Sequence, residues 1–176
     1  YVLYGSSTMF VYTTGAGVHG FTLDPDIGEF ILSHPDMKIP EPGARTYSVN
    51  EGSYAHWTPQ MRAIVDGLKR GDATAGEPCT ARYIGSMVAD VHRTLLRGGV
   101  FLYPSSAIQP EGKLRVLYEG APMAFLVEQA GGRAITDKGR LLDLKPESLH
   151  QRTPIFLGSR RLVDFVEAGL KATPGA

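Results

Sequence analysis

The sequence predicts a single α/β domain in which a mixed β-sheet is covered by helices. Short β-branched and aromatic runs recur from the first residue to about position 157, as is typical of strands. Four segments with apolar residues at helical spacing alternate with the later runs. The 176 residues show no internal repeat and no linker, and a chain of this length buries a core of ordinary size. We therefore expect one domain over residues 1–176.

The first third of the chain predicts antiparallel strands. Residues 1–14 form a β-branched and aromatic run that is broken at residues 5–7, and shorter runs follow at 18–23 and 29–32. The segment 24–28, Asp-Pro-Asp-Ile-Gly, has the composition of a tight turn between the last two runs. Short connections between consecutive strands favour an antiparallel meander.

The rest of the chain predicts helices and further short strands. Thr58 suits a helix cap and Pro59 the first helical position, and Gly71 ends that helix. By the same reasoning the predicted helices cover residues 59–70, 86–97, 121–130 and 160–170. The predicted strands cover residues 45–49, 100–103, 114–119, 133–136 and 154–157. The tail 171–176 is expected to fray.

Composition argues against several classes of function. Lys plus Arg and Asp plus Glu both number 18, so no excess of positive charge is available for a nucleic-acid arm or a polybasic membrane patch. No apolar run approaches the roughly 20 residues that span a bilayer. The one cysteine, Cys79, predicts a reducing compartment and a cytoplasmic protein. Because residues 1–4 already have strand composition, we expect that a preceding part of the protein is absent.

A candidate anion site lies at residues 82–86, Arg-Tyr-Ile-Gly-Ser, which lead directly into a predicted helix. The start of a helix offers free N–H groups and a positive dipole end, and Arg82 could add a bidentate contact to a phosphate. In the alternative interpretation, Ser86 only caps the helix and Arg82 is a surface charge. Asp90 and His92 follow, but residues this close on a helix do not face one ligand together, which favours a structural role for His92.

A second candidate site lies on the predicted strand 114–119. Lys113, Arg115 and Glu119 would share one face of an extended strand, because side chains alternate with a period of two. Two cations and a carboxylate suit a phosphate beside Mg²⁺, which prefers oxygen ligands. The alternative is an ordinary solvent-facing strand with cross-strand ion pairs.

A third candidate is the polar turn 50–54, in which Asn50 and Tyr54 could hydrogen-bond a sugar hydroxyl. A plain turn, with Asn50 bonded to its own backbone, explains the same residues. The sequence offers no partner for Glu51. The segment 24–28 also resembles the metal-binding Asp-Pro-x-Asp-Gly signature of lithium-sensitive sugar phosphatases. Because Ile27 stands where the second Asp is needed, we interpret that segment as a turn.

Several ordered blocks resemble class I fructose-1,6-bisphosphatases. The longest block is residues 81–94, Ala-Arg-Tyr-Ile-Gly-Ser-Met-Val-Ala-Asp-Val-His-Arg-Thr. Further similar blocks, in the same order as in the family, are residues 23–30, 50–52, 99–104, 112–119 and 150–152. The resemblance covers nearly the whole chain, and several ordered blocks are far more specific than one motif. It implies the carboxy-terminal domain of the fructose-bisphosphatase and inositol-monophosphatase-like fold.

The resemblance also implies roles for individual residues. Glu119 is similar to the one Mg²⁺ ligand contributed by this half, and Arg82 to an arginine that reaches the neighbouring subunit of a homotetramer. Tyr54 is similar to the family's tyrosine after Asn-Glu-Gly, although Ser53 is an additional residue between them. The remaining residues similar to those that hold the sugar and its 6-phosphate are Asn50, Tyr83, Gly85, Ser86, Met87, Tyr103, Lys113 and Arg115.

The family's other metal carboxylates, its water-activating acid and its AMP site belong to the amino-terminal half, which implies that no catalytic residue lies in this chain. The implied reaction is Mg²⁺-dependent hydrolysis of fructose 1,6-bisphosphate to fructose 6-phosphate in gluconeogenesis. Two alternatives stay open: a sugar-phosphate-binding module without catalysis, and a related sugar or inositol phosphatase.

Overall fold

The computed structural model describes residues 1–172 and consists of twelve strands and four α-helices. The strands are β1 (Val2–Leu3), β2 (Met9–Thr13), β3 (Val18–Asp24), β4 (Glu29–His34), β5 (Thr46–Ser48), β6 (Thr80–Ala81), β7 (Val100–Tyr103), β8 (Leu114–Arg115), β9 (Arg133–Thr136), β10 (Gly139–Arg140), β11 (Arg152–Thr153) and β12 (Ile155–Gly158). The helices are α1 (Pro59–Arg70), α2 (Met87–Arg97), α3 (Ala121–Gln129) and α4 (Arg160–Lys171). Short 3₁₀ helices occur at Glu51–His56 and Leu141–Asp143.

The first four strands form the predicted antiparallel meander, in the order β1-β2-β3-β4. The turn between β3 and β4 is closed by the N–H of Gly28, which donates to the Asp24 carbonyl at 2.9 Å. The Asp24 side chain also accepts the N–H of Asp26 at 3.0 Å. Gly28 has a φ of 73°, a conformation that glycine adopts without steric cost. The interpretation of residues 24–28 as a turn is therefore confirmed.

A second, six-stranded sheet has the order β10-β9-β12-β7-β5-β6. β5 runs parallel to both β6 and β7, whereas β12 is antiparallel to β7 and β9. A small two-stranded sheet pairs β8 with β11. The predicted mixed sheet is thus confirmed, and it is accompanied by a separate antiparallel sheet.

The helices and sheets stack in four layers. α1 and α4 pack on one face of the six-stranded sheet, in a core that includes Val100, Leu102 and Phe156. α2 and α3 pack on its other face, where Phe101 and Leu157 point because side chains alternate along a strand. The same core continues to the meander, whose inward residues cover the outer side of α3; among them are Val11 and Val18.

The helix boundaries follow local signals. The Thr58 side chain accepts the N–H of Met61, and Gly71 ends α1 in the left-handed conformation with a φ of 87°. Ser159 precedes α4 as predicted, but its hydroxyl accepts the N–H of Gly99 and makes no cap bond. Lys171 is still helical, so the predicted fraying does not begin there, and residues 173–176 lie outside the described part of the chain.

The predicted strand over residues 114–119 is wrong beyond Arg115. Val116–Gly120 form one π-helical turn that leads into α3. The N–H of Arg115 donates to the Glu119 carboxylate at 2.7 Å, which folds residue 119 back over the end of β8. Among residues 1–172, no helix is both long and apolar enough to cross a membrane.

Candidate functional site

Three of the predicted site segments meet at the edge of the six-stranded sheet that is formed by the carboxyl ends of its parallel strands. β6, β5 and β7 are adjacent and parallel, so their carboxyl ends point to the same side. Asn50 follows β5, Arg82 follows β6, and Tyr103 ends β7. Ligands commonly bind outside the carboxyl ends of parallel strands, because the loops there converge without blocking the sheet. The topology therefore brings together residues that lie up to 53 positions apart in the sequence.

A small cavity of about 30 Å³ opens at this edge, and Asn50, Ser53 and Tyr103 line it together with Trp57. The Asn50 side-chain oxygen accepts the N–H of Gly52 at 3.1 Å, which leaves its amide N–H groups for a ligand. The plain-turn interpretation thus explains the side-chain oxygen of Asn50, which bonds the nearby backbone. It does not explain the amide N–H groups of the same side chain. Ser53, which the sequence analysis treated as an additional residue, faces the cavity.

Tyr54 lies outside this cavity lining. Its hydroxyl donates to Asp66 at 2.7 Å, and the charged groups of Arg62 and Lys69 lie 5.6 and 5.7 Å from the centroid of its ring. Tyr54 therefore packs against α1 instead of joining Asn50 and Tyr103.

Glu51 has two partners that the sequence did not indicate. The Tyr47 hydroxyl donates to it at 2.6 Å, and Lys69 forms an ion pair with it. Although its partial burial opposes ionisation, the bonds from Lys69 and Tyr47 hold the pKa of Glu51 below its ordinary value. Tyr47 and Lys69 lie on β5 and α1, so no local pattern could have predicted their approach.

The loop 82–86 joins β6 to α2 at the same edge of the sheet. Arg82 is exposed, and its guanidinium donates to the neighbouring Ala81 carbonyl at 3.0 Å. Burial raises the pKa of Tyr83, and the nearby Tyr103 and Asp90 raise it further, so the Tyr83 phenol remains a proton donor at neutral pH. Gly85 adopts a φ of 88°.

The start of α2 has no side-chain cap. The Ser86 hydroxyl forms no cap bond to α2, in contrast to the capping role considered for it. Met87 is the first helical residue and packs at the border of the core beneath α2. The N–H groups of this partly buried first turn have no intrahelical acceptor and could donate to an anion.

Asp90, on the first turns of α2, holds the loop in place. Its side chain is completely buried and accepts the N–H groups of Ile84 and Gly85 at 3.2 Å. No role for Asp90 in holding this loop was predicted from the sequence. The one signal was an acidic residue at an otherwise apolar helical position, which predicts a buried hydrogen-bond partner without identifying it.

Arg115 and Glu119 form a close pair next to this edge. The Arg115 guanidinium lies 3.0 Å from a Glu119 oxygen, while its Nε donates to the Tyr118 hydroxyl at 3.1 Å. The two side chains do meet, but through the π-helical turn and not along an extended strand. Lys113 is exposed and belongs to no ion pair among residues 1–172.

Residues 153–155 connect the part of the site at Tyr103 with the part at Lys113. Thr153 pairs with Leu114 in the small sheet, and Ile155 pairs with Tyr103 in the large one. A Cβ on Gly112 would lie 2.5 Å from the Thr153 backbone, so only glycine fits this close approach. The 153–155 segment thereby fixes Lys113 relative to Tyr103.

The residues present do not by themselves fit a Mg²⁺ ion. Glu119 is the one carboxylate predicted as a ligand, and both of its oxygens are engaged by Arg115. In the described part of the chain, no group of three or more His, Cys, Asp or Glu side chains could hold a metal. The arrangement offers amide, phenol and cationic groups for an anionic polyol.

The fold is closely similar to solved phosphatase structures. It matches the holo form of Leishmania major fructose-1,6-bisphosphatase with a TM-score of 0.92 and 54% identity, covering 97% of this chain and 52% of that one. The T-state structure of the same enzyme gives 0.90 and 55%, covering 96% and 51%. At this identity the likeness places the chain in the class of α/β sugar phosphatases.

Sequence comparisons identify the family. The model for the fructose-1-6-bisphosphatase C-terminal domain matches residues 39–171, and that for the N-terminal domain matches residues 1–35. The chain is 58% identical over 171 residues to a class 1 fructose-1,6-bisphosphatase of Salinibacter ruber, covering 97% of this chain and 48% of that protein. For the class 1 enzyme of Cytophaga hutchinsonii, identity is 55% over 175 residues, covering 99% and 50%. The chain belongs to the fructose-1,6-bisphosphatase family and spans about half the length of these relatives.

Proposed function

We propose that this chain is the substrate-binding half of a phosphatase that hydrolyses fructose 1,6-bisphosphate to fructose 6-phosphate and phosphate, a step of gluconeogenesis. The observation that carries the proposal is the convergence of Asn50, Tyr83 and Tyr103 at the carboxyl ends of three parallel strands. Amide and phenol groups suit sugar hydroxyls. The exposed Lys113 suits a phosphate in the same site, and the exposed Arg82 suits a phosphate in the site of a neighbouring subunit.

The contribution of this half is to bind and orient the sugar phosphate. Tyr83 is held by a loop that is anchored to α2, and Tyr103 by the hydrogen bonds of β7. Groups fixed in this way lower the entropic cost of positioning a substrate. Ser86 and Met87 would contribute backbone N–H groups at the start of α2, Gly85 would allow a close approach of the backbone to the ligand, and Arg115 would add a second cation.

We further propose that the reaction depends on Mg²⁺, whose remaining ligands come from outside this chain. Glu119 alone is insufficient, because hydrated Mg²⁺ is usually held by more than one oxygen donor from protein and substrate. A metal would also have to displace Arg115 from the Glu119 oxygens. The chemistry that Mg²⁺ would supply is activation of water and neutralisation of charge on the phosphate.

A cytoplasmic homotetramer is the proposed assembly. The Arg82 guanidinium extends from an exposed loop and has no acidic partner within residues 1–172, which leaves it available to a neighbouring subunit. Cys79 is buried as a free thiol, which is compatible with a reducing compartment.

The first test is calorimetric titration of the 176-residue chain with fructose 6-phosphate, with and without Mg²⁺. We expect saturable binding that needs no metal and that weakens at least about tenfold in Lys113→Ala, which loses a charge-assisted contact to phosphate. Lys38→Ala is the matched control, because Lys38 is an exposed lysine paired with Asp36 in another part of the molecule. Equal binding by both variants would contradict the proposed role of Lys113, and no binding by the unsubstituted chain would contradict the proposed substrate pocket.

A further inference from the structure

The loop 82–86 carries four of the proposed substrate contacts, Arg82, Tyr83, Gly85 and Ser86, but has little packing of its own. Every residue from Ala81 to Ser86 is exposed, and Ile84 retains 60% of its accessible surface. At its start, the N–H of Arg82 donates to the Tyr47 carbonyl at 2.8 Å, which ties the loop to β5. A loop without buried apolar side chains keeps one conformation only if hydrogen bonds fix its backbone.

The Asp90 carboxylate, on α2, accepts those hydrogen bonds. One carboxylate oxygen accepts the N–H of Ile84, and the other accepts the N–H groups of both Ile84 and Gly85, all at 3.2 Å. The carboxylate has no accessible surface, so water cannot replace these donors. Because Asp90 lies in the first turns of α2, the positive end of the helix dipole also favours its charge.

Arg93 completes the attachment one turn later. Its Nη2 donates to the Arg82 carbonyl at 2.8 Å and lies within 3.4 Å of Asp90. The Arg93 side chain is only 23% exposed. Asp90 therefore holds the N–H groups of the loop, and Arg93 holds a carbonyl at its beginning.

We propose that Asp90 and Arg93 are positioning residues, which hold the loop 82–86 so that Tyr83 and Arg82 are presented to a sugar phosphate. This inference rests on the proposed function and adds to it residues that touch no ligand themselves. A partly buried ion pair that bonds both the donors and an acceptor of one loop selects a single loop conformation, and so lowers the ordering cost of binding.

The test measures amide hydrogen exchange and fructose 6-phosphate affinity in the same 176-residue chain. In Asp90→Asn, which keeps the size but removes the charge, we expect the Ile84 and Gly85 amides to exchange about tenfold faster or more. The affinity for fructose 6-phosphate should fall by a similar factor. Arg93→Lys keeps the charge but not the planar fork, and should give a smaller loss in the same direction.

Val91→Ala is the matched control, because Val91 is a fully buried neighbour on α2 whose side chain packs in the core beneath. It should lower the melting temperature while leaving the Ile84 and Gly85 amides protected and the affinity unchanged. The inference is overturned if Asp90→Asn keeps these amides protected, or loses no more affinity than Val91→Ala. If the unsubstituted chain binds no fructose 6-phosphate, the proposed function fails, whereas the exchange rates still decide whether Asp90 holds the loop.

Discussion

The six-stranded sheet and the four-stranded meander differ in how their faces are covered. Helices pack on both faces of the six-stranded sheet, and the largest fully buried side chains of the molecule, Phe101 and Phe156, lie on opposite sides of it. Within residues 1–172, the meander is covered on one face only. Its other face carries a cluster of aromatic rings whose centroids lie 5.5 to 6.2 Å apart, contributed by Phe10, Tyr12, Phe21 and Phe30.

This difference shows which part of the chain has a complete core. Along β2, Met9 and Val11 are buried against the helical layer, whereas Tyr12 points outward and is 37% exposed. A contiguous aromatic face of this kind is typical of a surface that contacts another polypeptide. The six-stranded sheet, which carries the candidate site, is covered by helices on both faces.

The largest expected effect is a difference in stability between a substitution in the core of the six-stranded sheet and one on the aromatic face of the meander. Phe101→Ala should lower the free energy of unfolding by about 3–5 kcal/mol, because it leaves a cavity in a closed core. Phe30→Ala removes the same atoms from the aromatic face, where the side chain is already 40% exposed, and should cost less than about 1 kcal/mol. Urea denaturation measures both values. Similar losses in the two variants would show that the aromatic face is packed in solution.

An intermediate effect is expected on self-association through the aromatic face. Phe30→Lys should weaken association of the chain at least about tenfold, because the ammonium group would have to be desolvated within the contact. Tyr4→Lys is the control, since Tyr4 is 79% exposed and belongs to none of the aromatic pairs described above. Sedimentation equilibrium measures the association constants. If Tyr4→Lys has the larger effect, another surface mediates the association.

The smallest expected effect is a dependence of stability on pH, which arises from a contact between the meander and α2. The Tyr1 hydroxyl lies 2.8 Å from His92 Nδ1, which joins the start of the meander to α2. Burial, with a smaller contribution from His34, lowers the pKa of His92 below its ordinary value of 6.5. Below pH 6.5 the unfolded chain therefore binds a proton that the folded chain does not, and the folded state loses stability as the pH falls.

Because of this one group, the free energy of unfolding falls by at most about 1.4 kcal/mol for each unit of decreasing pH. The fall stops once the pH is below the lowered pKa of His92 in the folded state. Urea denaturation between pH 7.5 and 5.5, on the unsubstituted chain and on His92→Asn, measures the difference. We expect the variant to lose less stability on acidification. A steeper loss in the variant would mean that His92 is charged in the folded protein.

The sequence predicted elements whose signals are local. Thr58, Pro59 and Gly71 bounded α1 correctly, because capping, a fixed φ and a left-handed end each depend on a single residue and its neighbours. The turn at residues 24–28 was predicted for the same reason. The extended strand over residues 114–119 was wrong, because alternation of apolar and polar residues also fits a π-helical turn once Glu119 bonds the Arg115 backbone.

The candidate site also has a part that the sequence predicted and a part that it did not. The blocks around Asn50, Tyr83, Tyr103 and Glu119 were recognised in the sequence as similar to the family, and the comparisons confirm that the chain belongs to the fructose-1,6-bisphosphatase family. The spatial separation of Tyr54 from the cavity that Ser53 lines could not be predicted, because it depends on the bond from Tyr54 to Asp66 on α1.

The sequence by itself thus determined the secondary structure near strong caps and turns, the α/β class, and the family. Only the tertiary structure decided the aromatic face of the meander, the partners of Glu51 and the anchoring of the loop 82–86 by Asp90. The physical reason is the range of the interactions. Caps and turns form between residues a few positions apart, whereas these contacts depend on which sheet and helix surfaces come together when the layers pack.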